Sequence, residues 1–403
     1  MNLPLANVRV VDFTHVVAGP HCTMWLASLG AEVLKIETAA HPDSMRQSQL
    51  RAQDEGTIEK SPTFVAGNLS KKSVAINIAT PEGRDLCRRL IAESDVVVEN
   101  FSSGIVERFG LGYEDLRQIR PDIIMASISG FGHTGAYAGF VAVGQTIQAF
   151  SGISSTTGYI GGPPEQYFMY YCDVLTGQSA VLGILAALRH RARTGEGQFI
   201  DVAMSETAIS VAPAAVLHYS ATGQRLAPQG NSDEAMAPHG CYPCKGVEAW
   251  LAIAVQDDSE WRALCDVLEH PEWAGDPRFA RLSLRIENQA ELDGLLTSET
   301  RGRDAFELAA ALQANGIAAA PSQTARDLLA DPQLAARDYF VDVAQNALGT
   351  AKLPRLPWRL GNIKQPPYGE APAFDSSTEN VLRDLLGLSD VEIGRLRECG
   401  ALG

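Results

Sequence analysis

Residues 170–204 read YYCDVLTGQSAVLGILAALRHRARTGEGQFIDVAM, and the rest of the chain is organised around this stretch. From Ala180 to Leu188 it contains only Ala, Val, Leu, Ile and one Gly, which predicts a core helix that is apolar and buried on all sides. Three arginines and a histidine at 189–193 suit the negative end of that helix. The run TGEG at 194–197 ends it, and residues 198–204 predict a buried strand.

Asp173 is a carboxylate at the mouth of this apolar helix. Two interpretations fit the pattern. Asp173 or Thr176 could be the N-cap of the helix, which is the commonest use of these residue types. Alternatively, a carboxylate held ionised in an apolar and water-poor mouth is a candidate nucleophile or base. The residues of this stretch alone leave both interpretations open.

Composition and charge limit the number of domains, the partners and the compartment that we expect for this protein. The chain has 403 residues, of which 45% are hydrophobic and 20% charged, so we expect two or three globular domains with a large core. A net charge of −15 disfavours nucleic acid and anionic membranes as main partners. Seven scattered cysteines favour a reducing compartment, so we expect a cytoplasmic protein. The N-terminus does not resemble a signal peptide and no apolar run reaches about 18 residues, so we expect no membrane span.

The order of elements predicts an α/β fold. Short apolar strands alternate with amphipathic helices from Val8 to Ile128, which is typical of a doubly wound parallel sheet. Ligands of such sheets collect beyond the carboxyl ends of the strands, for example at the loop THVVAGP, residues 14–20. Residues 206–221 predict one long apolar helix, and the change of composition at 222–246 predicts a loop and a domain boundary. A smaller α+β region follows.

Several common chemistries lack their motifs. The eight histidines show no metal-ligand spacing, and the CxxC at 241–244 has no second pair, so we expect no metal site. There is no GxSxG and no phosphate-binding GxxxxGK[ST]. The run GFGHTG at 130–135 matches the dinucleotide fingerprint but lacks a following helix signal and acidic residue, so a nicotinamide-dependent dehydrogenase stays only an alternative. Lys71, Lys72 and Arg108 could together bind phosphate, although each alone is typical of a solvated surface charge.

The chain resembles the class III CoA-transferases, the group that contains formyl-CoA transferase and carnitine CoA-transferase. The resemblance runs nearly from end to end. It depends on six separated motifs in the right order: VVDFTHVVAGP at 10–20, LGAEVLKIE at 29–37, NLSKKSVAINI at 68–78, DVVVENF at 95–101, SISGFGHTG at 127–135 and CDVLTGQSAVLGILAAL at 172–188.

The resemblance implies a fold and an assembly. A large Rossmann-like domain would be built from both ends of the chain, with residues 1–205 as its first part and 323–403 as a return segment. A linker helix at 206–225 and a small α+β domain at 226–322 would lie between them. Two chains would form an interlocked, ring-like homodimer.

The resemblance also implies the chemistry. Asp173 would be the nucleophile that moves CoA from an acyl-CoA thioester to a carboxylic acid, through an aspartyl mixed anhydride and an aspartyl-CoA thioester. CoA and acyl-CoA would be substrates, with no permanently bound cofactor. The CoA contacts would be His15, Val16, Val17, Ala18, Lys71, Lys72, Asn100, Phe101 and Arg108.

Departures from the family pattern limit the substrate. Formyl-CoA transferases carry Gln where this chain has Val17, Glu where it has Gly144, and an adenine-side Arg near Thr38, and their tetraglycine loop is missing from 228–240. These differences put formyl-CoA and oxalate in doubt, and succinyl-CoA with a small organic acid is a plausible pair. The related α-methylacyl-CoA racemases carry a His where this chain has Val143, so a racemase stays an alternative, as does a non-catalytic CoA-binding protein.

Overall fold

The computed structural model describes residues 3–48, 58–345, 348–363 and 368–403. The chain divides into two compact units. The large unit comprises Met1–Ser154, Gln166–Gln224 and Asp338–Gly403, and the small unit comprises Ser155–Glu165 and Arg225–Arg337. The small unit thus continues to Arg337, beyond the predicted limit at 322, and the return to the large unit begins at Asp338.

Eleven strands are present in the described part of the chain: β1 (Arg9–Asp12), β2 (Glu32–Glu37), β3 (Lys72–Ala75), β4 (Val96–Glu99), β5 (Ile124–Ser129), β6 (Phe199–Ala203), β7 (His239–Pro243), β8 (Trp250–Ala254), β9 (Ala318–Pro321), β10 (Phe340–Gln345) and β11 (Gly349–Pro354).

The α-helices of the same residues are α1 (Ala18–Ser28), α2 (Pro62–Gly67), α3 (Pro81–Ala92), α4 (Ile105–Arg108), α5 (Tyr113–Ile119), α6 (Gly144–Phe150), α7 (Ile153–Thr156), α8 (Tyr171–Thr194), α9 (Met204–Ser210), α10 (Pro213–Thr222), α11 (Asp258–Val267), α12 (Leu282–Glu287), α13 (Gln289–Thr300), α14 (Ala305–Ala314), α15 (Ala325–Ala330), α16 (Pro332–Ala336), α17 (Thr378–Leu386) and α18 (Asp390–Glu398). Short 3₁₀ turns occur at Ser44–Gln47, Ile58–Lys60 and Pro271–Gly275.

A six-stranded parallel sheet forms the centre of the large unit, with the strand order β3-β2-β1-β4-β5-β6. Both of its faces are covered. Val10, Val96 and Val98 pack in one core cluster with α1 and α8, whereas Val11 and Val97 pack in a second with α3, α5 and α17. Successive strand residues point to opposite faces, so strands buried on both sides are expected to be mostly apolar along their length, as Val96–Val98 of β4 are. The predicted α/β fold with a parallel sheet is confirmed.

Helix α8 differs from the prediction in two respects. It begins at Tyr171, so Asp173 lies in its first turn instead of capping it, and the N-cap Tyr170 makes no side-chain capping bond. It is also not buried on all sides, because Leu182 on its outer face is 71% exposed. By length and composition α8 could cross a membrane, although 44% of its apolar window is buried in the protein. Its inner face packs on the central sheet through Ala180, Val181 and Ile184.

The C-terminal residues are hydrogen-bonded to the edge of this sheet. Thr378 Oγ1 accepts the amide of Ala75 at 2.8 Å, and the amide of Ser377 donates to the carbonyl of Ser73 at 3.0 Å. Strands β10 and β11 form an antiparallel hairpin that was not predicted from the sequence. Its strands pair with each other, a contact that no local pattern encodes.

The small unit contains the antiparallel sheet β7-β8-β9. Leu251 and Ile253 of β8 pack in its core with Trp261 of α11, Leu292 of α13 and Leu308 of α14. Strand β7 lies where the sequence predicted loop. It contains Gly and Pro, which an edge strand tolerates because one side of it needs no ladder hydrogen bonds.

Two helices replace the single long one predicted at 206–221, and they take the place of the predicted linker helix. Helix α9 ends at Ser210 and α10 begins at Pro213. A proline has no amide hydrogen and clashes with the preceding turn, so it is disfavoured inside a helix but accepted at the first position. Both helices belong to the large unit.

Candidate active site

A cavity of about 240 Å³ opens at the carboxyl ends of β1, β4 and β5, in the large unit. This is the edge at which open parallel sheets bind their ligands. Its walls come from six segments of the chain and are formed by Val16, Ala18, Asn100, Phe101, Ser102, Ser103, Ile128, Ser129, Gly130, Ala138, Phe140, Ala142, Val143, Gly144, Gln145, Tyr170, Asp173 and Met204.

Asp173 is the acidic residue in this lining. Its side chain is only 8% exposed, and burial raises its pKa to about 6. Its own backbone amide and its place in the first turn of α8 oppose that shift, because a helix start favours negative charge. At neutral pH the carboxylate is therefore ionised, poorly hydrated and more basic than a surface aspartate, which are the properties of a nucleophile. The neighbouring Cys172 is a weaker candidate, since burial raises the pKa of its thiol to about 11.

The carboxylate lies directly against Gly144, the first residue of α6. A Cβ atom at position 144 would come within 2.1 Å of Asp173 Oδ2. The missing side chain therefore makes the space that the carboxylate occupies.

The loop after β1 is tied to the loop after β4 by Asn100. Its side-chain oxygen accepts the amide of His15 at 2.8 Å, and its side-chain nitrogen donates to the carbonyl of His15 at 2.8 Å. The His15 ring contacts the Phe101 ring, with centroids 5.9 Å apart. Val16 has a φ of 70°, a left-handed conformation that costs a β-branched residue about 1–3 kcal/mol. Its amide donates to Asp43 Oδ1 at 3.0 Å, which helps to hold this conformation.

Lys71 is not the solvated surface charge that its sequence context suggested. Its Nζ is buried and donates to Asp12 Oδ2 at 3.1 Å, to Asn68 Oδ1 at 2.8 Å and to the carbonyl of Pro20 at 3.0 Å. Burial lowers the pKa of Lys71 to about 8. In this position its ammonium group holds the two ends of the loop after β1, Asp12 and Pro20, through hydrogen bonds.

The structure brings together part of the predicted set. Val16, Ala18, Asn100 and Phe101 line the cavity with Asp173. The other predicted positions are not among its walls: His15, Val17, Lys71, Lys72 and Arg108. Lys72 Nζ pairs with Glu32 at 2.5 Å, and Arg108 Nε donates to the carbonyl of Gly104 at 3.3 Å, both on the surface.

Sequence reasoning missed the polar part of the wall, Ser102, Ser103, Ser129 and Gln145. The signal was present, because Ser102 and Ser103 lie in the loop after β4, Ser129 ends β5 and Gln145 lies in the first turn of α6, and parallel strands end at one edge of the sheet. The run at 130–135 forms turns without a helix until α6 begins at Gly144, so it is not a dinucleotide-binding start. Among the described residues, no group of three or more His, Cys, Asp or Glu could hold a metal ion.

Comparison with known proteins decides the family. The family model described as CoA-transferase family III matches residues 5–378. The chain belongs to this family. This CoA-transferase is 34% identical in sequence to succinyl-CoA--D-citramalate CoA-transferase of Chloroflexus aurantiacus, over 98% of this chain and 97% of that protein. It is also 34% identical to succinyl-CoA:mesaconate CoA-transferase of Haloarcula marismortui, over 94% of this chain and 95% of that one.

A solved structure agrees with this assignment. The crystal structure of a CaiB/BaiF family protein from Brucella suis superposes on this CoA-transferase with a TM-score of 0.87. The two chains are 33% identical, and the match covers 96% of this chain and 100% of the other. The chain is thus a class III CoA-transferase, and acyl-CoA thioesters and small carboxylic acids are the substrates of its class.

Proposed function

We propose that this CoA-transferase works through Asp173 as its nucleophile. The carboxylate attacks the thioester carbonyl carbon, the C–S bond breaks, and a mixed anhydride and CoA thiolate form. The thiolate attacks the aspartyl carbonyl carbon and displaces the donor acid as its carboxylate, leaving an aspartyl-CoA thioester. The acceptor carboxylate then attacks the aspartyl-CoA thioester, which releases CoA thiolate and leaves a mixed anhydride of Asp173 and the acceptor. The thiolate attacks the acceptor carbonyl carbon of this anhydride, so the new thioester is released and Asp173 is restored. No proton is gained or lost over the cycle.

The position of Asp173 supports this proposal most strongly. It is the acidic group in the cavity lining, it is nearly fully buried, and it faces the start of α6 across the Gly144 gap. An anhydride hydrolyses readily in water, so the carboxylate has to react in a poorly hydrated site. Backbone amides at the starts of α6 and α8 are suitable donors for the oxyanion that forms.

We propose that CoA binds along the loops after β1 and β4. Val16, Ala18, Asn100 and Phe101 would contact its reactive end, since they share the cavity with Asp173. Arg108 would bind its phosphates, because this cation lies on α4, which follows the loop after β4. Lys72, also expected as a phosphate contact, begins β3 and pairs with Glu32 at the start of β2, at the edge of the sheet opposite the cavity, so we do not propose it as a CoA contact. His15 and Lys71 would act by holding the loop after β1, and Val17 by starting α1.

For the substrates we propose succinyl-CoA as the donor and a dicarboxylic or hydroxydicarboxylic acid of four or five carbons as the acceptor. Three similar proteins carry names of this kind, with citramalate, mesaconate and glutarate. The hydroxyl and amide groups of Ser102, Ser103, Ser129 and Gln145 provide donors for a second carboxylate without adding a fixed positive charge.

We further propose that the enzyme is cytoplasmic and forms a homodimer, with the interlocked arrangement of its family. Helix α10 has no buried residue, and its apolar side chains Val216, Leu217 and Tyr219 are more than half exposed. Leu182 on the outer face of α8 is equally open. Large exposed apolar surfaces of this kind mark protein–protein contacts.

The nucleophile is tested by trapping its intermediates. Purified enzyme is mixed with succinyl-CoA, quenched in acid and digested, and the peptide that contains residue 173 is examined by mass spectrometry. We expect a CoA adduct on Asp173 in the wild type and in Cys172→Ala, and none in Asp173→Ala, which should lose at least about 10⁴-fold in kcat. Turnover without an adduct on this peptide, or with the adduct lost in Cys172→Ala, would contradict the proposal.

The substrates are tested by pairing several acyl-CoA donors with mono- and dicarboxylic acids and identifying new thioesters by mass spectrometry. Dicarboxylic acceptors should give kcat/KM values at least about tenfold higher than monocarboxylic acids of equal length. The reverse order would reject the proposed substrate class and leave the role of Asp173 untouched.

A further inference from the structure

A chain of hydrogen bonds connects the wall of the cavity to a buried acid. Ser103 lines the cavity, and its Oγ is 3.0 Å from His133 Nδ1. The other ring nitrogen, His133 Nε2, is 2.6 Å from Ser127 Oγ. Ser127 is fully buried on β5 and hydrogen-bonds the carboxyl group of Glu99, the last residue of β4, which is 1% exposed. The four side chains thus form one line from solvent-accessible cavity to core.

The direction of every bond in this line depends on the proton of Glu99. If Glu99 is ionised, its carboxylate only accepts hydrogen bonds, so the Ser127 hydroxyl donates to it. His133 Nε2 then donates to the oxygen of Ser127, and Ser103 must donate to His133 Nδ1. If Glu99 is protonated, it donates to Ser127, Ser127 donates to Nε2, and His133 donates from Nδ1 to Ser103. Only in the second arrangement does the hydroxyl hydrogen of Ser103 remain available to the cavity. In both arrangements one ring nitrogen of His133 donates and the other accepts, and the proton that Glu99 loses goes to solvent.

Neighbouring groups indicate which oxygen of Glu99 carries the proton and hold the His133 ring in place. The amide of Phe101 donates to Glu99 Oε2 at 2.8 Å in either state, so the proton of the acid belongs on the other oxygen. The backbone amide of His133 donates to Asp201 Oδ2 at 2.9 Å, and the ring is packed edge-on against Phe199. Both contacts keep the imidazole in line between the two serines.

We infer that Glu99 is a positioning residue which, through Ser127 and His133, determines whether Ser103 can donate a hydrogen bond to the negative sulfur or oxygen that forms in the cavity. The inference rests on the proposed function, because that charge develops when Asp173 opens the thioester. A donor to an anionic group is worth about 1.5–3 kcal/mol, which corresponds to a rate factor of about 10- to 100-fold.

The surroundings of Glu99 bring its pKa close to neutrality. Burial, with smaller contributions from the carboxylates of Glu107 on α4 and Asp201 on β6, raises the pKa of Glu99 to about 7 against the hydrogen bonds from Ser127 and Phe101. Glu107 also lies 4.0 Å from His133 Nδ1. Ser103 therefore serves as a cavity donor below about pH 7 and turns away above it.

The test is the pH dependence of a single turnover, measured as the rate of adduct formation on Asp173 between pH 5.5 and 9. The wild-type rate should rise through about pH 6 as Asp173 ionises, and fall about 10- to 100-fold on the alkaline side as Glu99 ionises. In Glu99→Gln, the amide oxygen takes the Phe101 bond and the amide NH₂ donates to Ser127, which fixes the donating arrangement. This variant should keep its rate at pH 8.5 and exceed the wild type there, a gain that a folding defect cannot produce.

Two further variants complete the test. Ser103→Ala should show the low alkaline rate of the wild type at every pH above 6, with no fall near pH 7. Ser102→Ala, the neighbouring cavity serine outside the hydrogen-bonded line, should keep the fall, whatever its overall rate. A flat wild-type profile above pH 6.5, a Glu99→Gln profile that matches the wild type, or a fall that persists in Ser103→Ala would each overturn the inference. Loss of the adduct itself would instead indicate that the nucleophile was misassigned.

Discussion

The proposed chemistry of this CoA-transferase depends on how two opposing influences on the charge of one residue, Asp173, balance. The first turn of α8 favours the charged carboxylate, whereas burial among apolar side chains disfavours it. Burial is the stronger effect, so the pKa is about 6. The carboxylate is therefore charged at neutral pH, but its charge lowers the free energy of unfolding, and this loss of stability can be measured.

The first prediction concerns the stability of Asp173→Asn. The folded-state pKa of Asp173 is raised from 3.8 to about 6, so the folded protein binds this proton more tightly than the unfolded chain does. The resulting stabilisation is complete below pH 3.8 and is lost as pH rises through 6. Asn carries no such proton, so the variant should gain about 2 kcal/mol relative to the wild type between pH 4.5 and 7.5. Urea unfolding at both pH values measures this difference, and a constant difference would show that Asp173 is not desolvated.

A second prediction concerns Gly144→Ala. The added methyl group would overlap Asp173 Oδ2, the end of a flexible side chain, so the carboxylate should move and the fold should not. We expect kcat to fall about 10- to 100-fold with a change of less than about 1 kcal/mol in the free energy of unfolding. Gly139→Ala is the control, because a Cβ atom there has no neighbour within 4 Å. Equal kcat values for the two variants would mean that the carboxylate does not need this space.

At the element scale, the close approach of α1 and α8 positions the cavity. Ala18 begins α1 and Asp173 lies in the first turn of α8, so both line the cavity only while these helix starts stay together. Gly177 permits the contact, since a Cβ atom there would come within 2.6 Å of the Ala18 carbonyl oxygen. Backbone atoms cannot turn aside as a side chain can, so any other residue at 177 has to separate the helices.

A third prediction follows for Gly177→Ala. Alanine normally stabilises a helix by up to about 1 kcal/mol over glycine, but here we expect a loss of about 1–3 kcal/mol together with a lower kcat. Gly394→Ala in α18 is the matched control, because position 394 is helical with open space around it, and it should gain stability. Chemical unfolding of the two variants should give opposite signs. A stabilising effect at both positions would show that α1 and α8 are not in tight contact.

At the scale of the whole molecule, the large unit leaves apolar helix surface open. Helix α10 and the outer face of α8 carry leucines that are 68% and 71% exposed at positions 217 and 182. A single chain gains nothing from these side chains in water, whereas a second copy could bury them. This is the structural reason to expect the homodimer.

The fourth prediction is therefore that the wild type sediments with twice the mass of one chain, and that Leu182→Asp with Leu217→Asp shifts it to the monomer. Val391→Asp is the control, because Val391 is 84% exposed on α18, a helix that packs in the other core cluster from α8, and its variant should remain dimeric. Analytical ultracentrifugation over a range of concentrations gives the measurement. A monomeric wild type, or a double variant that stays dimeric, would contradict the proposed assembly.

The parallel α/β core and the family could both be predicted from the order of residues along the chain. Strands buried on both faces are mostly apolar, and the six separated motifs occur in one order, so both signals are local and can be read along the chain. The sequence also indicated Asp173 but left nucleophile and N-cap as open alternatives.

The polar groups that share the cavity, and those that are buried in hydrogen bonds around it, became evident only from the folded chain. Lys71 looks like a surface cation in sequence yet is buried against Asp12, and Ser103, Ser127, His133 and Glu99 look unrelated until β4 and β5 lie side by side. Strand β7 and the hairpin of β10 and β11 were likewise missed, because their pairing partners are chosen in space. Burial and hydrogen-bond partners depend on the neighbours that folding supplies, and no local pattern of residues encodes those neighbours.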